Sequence, residues 1–178
     1  PRLLEGGTDG QFFAAWLNPR SHKGKEVEAT LEMIDALYQV AAKDDRLVIA
    51  TTAGEIVNAH KEGKVAGIPC IEGGLAIVDN LAVLRMYHKL GVRYMTLTWN
   101  NNTNWADGSK HDEEEYGKVG PHGGLTEFGR EVIKEMNRLG MIVDISHVHD
   151  DTFWDVMEVT TKPVIASHSN TWALNPNP

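Results

Sequence analysis

The chain has one cysteine, Cys70, so no internal disulfide can form and a disulfide-stapled scaffold is excluded. No apolar run reaches the roughly 18 residues that a membrane-spanning helix needs. Lysine and arginine total 17 against 25 aspartates and glutamates, a net charge of −8, and no basic cluster stands out. Nucleic acid is therefore not an expected partner, because a phosphate backbone requires a positive face. Low-complexity tracts and repeats of residue identity are also missing. No leader peptide is legible, but the chain opens on Pro1 rather than Met, so secreted, periplasmic and membrane-anchored locations all stay open. The glycine-rich stretch 5–10 precedes a strand, whereas a phosphate loop follows one, so it is not read as a nucleotide site. Ser146 and Ser167 lack the strained Gly-x-Ser-x-Gly turn of serine hydrolases. Cys70 lies inside an apolar run and reads as a small buried residue, not a nucleophile.

What is present is an alternation of element types. The 178 residues are enough for one domain with a sizeable core. Apolar, β-branched or aromatic runs predict strands over 10–17, 46–52, 65–72, 92–99, 141–147 and 162–168. Helical periodicity predicts helices over 25–43, 53–62, 77–90, 126–139 and 151–160. Gly63, Gly91 and Gly140 each follow a helical pattern, where a left-handed terminal residue is wanted. Thr126 and Asp150 are candidate N-caps. Phe128, Val132, Ile133, Met136 and Leu139 fall on one stripe, so the helix 126–139 covers a core. Strands alternating with helices imply parallel strands and right-handed crossovers. Their low alternation suits strands covered on both faces. An open doubly wound sheet and a (β/α)8 TIM-type barrel both fit that pattern.

The strand ends favour the barrel. Thr52, Glu72, Trp99, His147 and His168 all close predicted strands. In a barrel those ends converge on one face; in an open sheet they are spread out. Imidazole and carboxylate are ligands for zinc and similar cations, which makes Glu72, His147 and His168 candidate metal ligands. Gly73 and Gly74 follow Glu72 and would let a substrate or second cation approach the backbone. Each histidine is preceded by a serine, which strand alternation would turn away from it. A single histidine at a strand end is usually only hydrogen-bonded. Two Ser-His ends plus a glutamate leave metal binding and plain hydrogen bonding about equally supported. His149 reads as a solvated loop residue, and His22, His60, His88 and His111 as surface residues. The acidic run 111–118 reads as a solvated loop within the longest connection, 100–124, a length that suits a lid or binding loop.

The stretches CIEGG, GVRYMTLTWNNNTNWAD, GLTEFGREVIKEMNRLGMIVDISHV and KPVIASHSN, with the opening PRLLEGGTDGQFFAAW, resemble the membrane dipeptidase (renal dipeptidase) family of metallopeptidases. The resemblance runs in order along essentially the whole chain. It implies a (β/α)8 barrel of the amidohydrolase type holding two zinc ions. Glu72 matches the carboxylate that bridges both metals and counts as catalytic, while His147 and His168 match the histidines of the second metal. A metal-bound hydroxide would attack the peptide carbonyl. The implied substrates are dipeptides, some with a D- or dehydro residue at the C-terminal side, and some relatives open β-lactams. A homodimer is one assembly left open.

Departures from the family pattern bear on function. Family members begin with a His-x-Asp pair on the first strand and end with a strand-end Asp and a substrate-binding Arg. None of these is present, so the chain is expected to be a single barrel domain lacking the first and last strands. Many relatives carry a substrate-binding histidine where this chain has Trp99. Trp99 and Asn100 are therefore the candidate substrate contacts, with Asn101, Asn102 and Asn104 able to compensate; a Trp99 that merely packs on the rim is the competing reading. A non-catalytic or altered-substrate amidohydrolase-like barrel is the alternative function.

Overall fold

The computed structural model describes residues 2–109, 118–171 and 173–174. His111 and the acidic stretch, apart from Lys118, lie outside them. A one-turn helix α1 (Arg2–Glu5) precedes strand β1 (Gly10–Trp16). Then follow α2 (Glu26–Lys43), β2 (Leu47–Ile49), α3 (Ala53–Lys61) and β3 (Val65–Glu72). A 3-10 turn (Gly74–Ile77) and α4 (Leu81–Lys89) lead to β4 (Tyr94–Thr96). After the long connection come α5 (Glu127–Leu139), β5 (Ile142–Asp144), α6 (Asp150–Val159) and β6 (Val164–Ile165).

All described strand pairs are parallel. Five strands lie side by side in the order β1-β3-β4-β5-β6, and β2 pairs with β3 off that path. Along that five-strand path the order never reverses; β2, on the edge of β3 opposite β1, steps out of sequence. A doubly wound sheet requires a reversal at its switch point, whereas a barrel steps one way around. The chain is thus an arc of a (β/α)8 TIM-type barrel. β2 differs from the other strands for a reason visible in β3. One edge of β3 pairs with β1 along residues 66–72. The other edge takes β2 at Val65–Gly67 and β4 at Ile71–Glu72, so those two strands share it end to end. Arg93 joins them, donating from Nε to the Thr51 carbonyl at 2.6 Å.

The register levels the strand ends. Trp16 pairs with Glu72, Glu72 with Thr96, Thr96 with Asp144 and Asp144 with Ile165. Below this row lies the apolar core. Ile71, Met95, Val143, Val132, Ile133, Met136 and Leu84 are at most 1% exposed. The expected stripe on α5 is realised: Val132, Ile133 and Met136 are fully buried, with Phe128 and Leu139 packed at its margins. Each such side chain contributes about 1.5–3 kcal/mol of burial.

Three local expectations change. The helix expected over 77–90 is broken, because Val78 and Asp79 adopt left-handed φ of 44° and 52°. Asn80 then caps a new start by accepting from the Ala82 amide at 2.8 Å. Helix α6 is capped by His149, whose Nδ1 accepts from the Asp151 amide, so Asp150 lies inside the helix. Thr52, three residues past the end of β2, is taken up in a helix start: its hydroxyl and the Glu55 carboxylate form a reciprocal cap on α3.

Candidate metal centre

Glu72 is the last residue of β3, in the level row. His147 lies three residues past Asp144 at the end of β5, and His168 three past Ile165 at the end of β6. Parallel pairing brings all three to one place. Glu72 Oε1 is 3.1 Å from His147 Nε2 and 3.4 Å from His168 Nε2. One ligand atom from each lies within 4.8 Å of the others. Bonds of about 2.0–2.1 Å in a tetrahedron separate ligand atoms by roughly 3.3 Å, so the glutamate–histidine distances suit a zinc-sized cation. The two Nε2 atoms are 2.7 Å apart, and seating a cation would part the rings by about half an ångström.

The two histidines are set by different contacts. His147 has a φ of 64°, uncommon for a residue with a side chain. Its carbonyl accepts from Thr98 Oγ1 and from the Ser109 amide, each at 2.8 Å. His168 is set through its ring: Ser167 Oγ lies 2.7 Å from Nδ1. That corrects the expectation that each serine faces away from its histidine. Strand alternation cannot extend to Ser167, because β6 ends at Ile165. Ser146 does not face its own histidine ring; its Oγ lies 3.3 Å from Ser167 Oγ and accepts from the His168 amide.

Behind the pair sits Asp144, fully buried, which sequence reasoning passed over. It accepts from Thr96 Oγ1 and Ser167 Oγ at 2.6 Å each, and from the Ser146 and Ser167 amides. Burial pushes its carboxyl up. The bonds from Ser167, Thr96 and the two amides outweigh that and hold it below its ordinary value. A lone carboxylate inside the apolar run MIVDISH was the available signal, since a buried charge must be paired.

Trp99 is half-buried beside the centre, edge-on to Trp16 at 5.0 Å and 6.4 Å from His147 between ring centres. Asn100 follows it, also half-buried. The other asparagines shape the loop. Asn101 donates to the Asn102 carbonyl, Asn102 bonds the Gly108 amide and the Lys118 carbonyl, and Asn104 donates to Asp79. Buried Asp107 gathers the loop further, accepting from the His122 and Gly124 amides. Gly74 does not open a path to the backbone, because a Cβ there would stand 2.4 Å from the Trp105 ring. Burial pushes the Cys70 thiol up to about 12, which agrees with an inert residue.

Comparison with known proteins settles the family. The membrane dipeptidase family, peptidase family M19, matches over residues 1–178. The chain belongs to that family. Membrane dipeptidase relatives include dipeptidase 3 of Homo sapiens, 37% identical over 177 residues covering 99% of this chain and 35% of that protein. Dipeptidase 3 of Mus musculus is 37% identical over 169 residues, covering 94% and 33%. Among solved structures, a metallopeptidase from Rhodobacter sphaeroides bound to a phosphinate mimic of the dipeptide L-Ala-D-Ala superposes with a TM-score of 0.83. It is 30% identical, over 99% of this chain and 57% of that one. The probable dipeptidase PvdM from Pseudomonas aeruginosa gives a TM-score of 0.90 at 24% identity, over 97% and 46%, and shares the fold. The chain therefore spans about a third of the curated relatives' length.

Proposed function

We propose that the protein hydrolyses dipeptides at a zinc centre held by Glu72, His147 and His168, within a single metallopeptidase barrel domain. The convergence of these three groups from the ends of β3, β5 and β6 carries the reading. The family, and a neighbour that binds a dipeptide mimic, support the substrate class.

A divalent cation in this site supplies Lewis acidity toward water and the scissile carbonyl. The chain's own groups do the rest. The two imidazoles present Nε2 toward the site, and Glu72 presents Oε1 to both of them. A carboxylate has a second oxygen, so Glu72 could also help hold a second cation. Trp99, packed on Trp16, stands beside His147 with 6.4 Å between ring centres, where it can border a bound substrate. Its indole N–H can donate to a peptide carbonyl oxygen, and Asn100 beside it can pair with the substrate's polar ends.

Zinc content and turnover of a dipeptide panel by the intact protein test this. One to two zinc ions per chain with chelator-sensitive hydrolysis is the expected result. Intact protein that takes up no divalent cation would sink it, and zinc uptake without dipeptide turnover would point to the altered-substrate alternative.

A further inference from the structure

The geometry points to Asp144 and Ser167 as positioning residues that fix the tautomer of His168, so that its Nε2 is the bare nitrogen facing Glu72. The inference rests on the metal-site reading above for its consequence, but its structural basis is separate.

Asp144 is fully buried and has four hydrogen-bond partners. Two are backbone amides, of Ser146 and Ser167, which can only donate. The other two are the hydroxyls of Thr96 and Ser167, each 2.6 Å from Oδ2. A carboxylate receiving four bonds is an acceptor at both oxygens. The single proton of Ser167 therefore goes to Asp144. Ser167 Oγ is then left as an acceptor toward His168 Nδ1, 2.7 Å away. Nδ1 must carry a proton to use that contact, which leaves Nε2 with its lone pair turned toward His147 Nε2, 2.7 Å away, and the Glu72 carboxylate. Ser146 supports the arrangement, because its Oγ accepts from the His168 amide and sits 3.3 Å from Ser167 Oγ.

The chain Asp144–Ser167–His168 thus does for a metal-binding imidazole what a directly bonded carboxylate does elsewhere: it sets the tautomer and aims the ring. Thr96 on β4 and Asp144 on β5 belong to the level row, so strand register builds the relay.

Two measurements test it in the intact protein. The first is zinc affinity by chelator competition. Ser167→Ala should weaken it about 10–100-fold, the range for lost outer partners of metal-bound histidines, and Ser167→Thr, which keeps a hydroxyl, should restore most of it. The second is the His168 tautomer in metal-free protein, by long-range nitrogen–proton NMR. Wild type should show the Nδ1–H form. Asp144→Asn should shift it toward Nε2–H, because an amide can donate to Ser167 and turn its hydroxyl toward the ring. Thermal melts identify any variant that has not folded, and Ser167→Ala, a small change, decides alone if Asp144→Asn does not fold. Unchanged zinc affinity and an unchanged Nδ1–H signal in Ser167→Ala would overturn the proposal. A wild type that binds no zinc would overturn only the metal reading, since the tautomer measurement needs no metal.

Discussion

His147 and His168 close adjacent strands with the same Ser-His pair, yet they are held in opposite ways. His147 is fixed by its backbone: a left-handed φ of 64° and a carbonyl gripped by Thr98 and Ser109. His168 has its ring set through Ser167 and Asp144, with its amide donating to Ser146 Oγ as well. Identical dipeptides end differently because strand geometry stops before them, at Asp144 and at Ile165. Beyond those points the turn, not the pleat, decides where each serine points.

The largest effects should erase the difference. His147→Ala and His168→Ala each remove a ligand. Each should lower kcat/KM on the order of a thousandfold, equivalent to about 4 kcal/mol, and reduce zinc content. Steady-state kinetics with metal analysis checks this, and near-normal turnover in either variant would break the assignment. Trp99, which touches Trp16 and leans toward His147, should sharpen the picture on the substrate side. Trp99→Ala should raise KM about tenfold, near 1.4 kcal/mol, with zinc affinity unchanged. A fall in melting temperature with KM intact would instead mark Trp99 as rim packing.

The comparison is tested most directly by Thr98→Val. It removes the hydroxyl that holds the His147 carbonyl at 2.8 Å and keeps the shape. The cost should be about 1 kcal/mol, or several-fold in zinc affinity, smaller than that of Ser167→Ala. The ring of His147 has no bond to Thr98, so only its backbone setting is loosened. If Thr98→Val proved the more damaging of the two, the strained backbone and not the relay would be the main support of the centre.

Much of this site was legible in the sequence because its candidate ligands are chemically conspicuous. A glutamate or histidine ending an apolar run is visible without coordinates, and Glu72, His147 and His168 meet as expected. The alternation of strands and helices was legible for the same reason, since the buried stripe of α5 repeats at helical spacing. What was hidden depends on single backbone angles and long-range pairing. The break at Val78 and Asp79 does have a signal, the Asp79-Asn80 pair that favours a left-handed turn and an N-cap, but the apolar pattern running on either side of it masks that signal. The role of Asp144 depends on Thr96 and Ser167, distant in sequence and brought near only by register. The placement of β2 off the path could not be read either, because it depends on β3 having a longer edge than β4 covers.

The smallest expected effect lies away from the centre and serves as its control. Glu135 on α5 binds Arg138 through Nε at 2.7 Å and Nη2 at 2.8 Å, with Arg85 at 3.3 Å. The Arg138 guanidinium holds its carboxyl down at about 2, from an ordinary 4.5. A lowered folded-state value means the unfolded chain binds the proton first as pH falls. The stabilisation is therefore complete above 4.5 and is lost as pH drops toward 2. Glu135→Gln should flatten the dependence of melting temperature on pH in that window and leave zinc affinity and turnover at neutral pH alone. Arg138 is largely exposed, so solvent screening keeps the effect small. Should zinc affinity move in Glu135→Gln, the centre would be coupled to the helix layer, and the contrast between His147 and His168 would no longer be a property of their own strand ends.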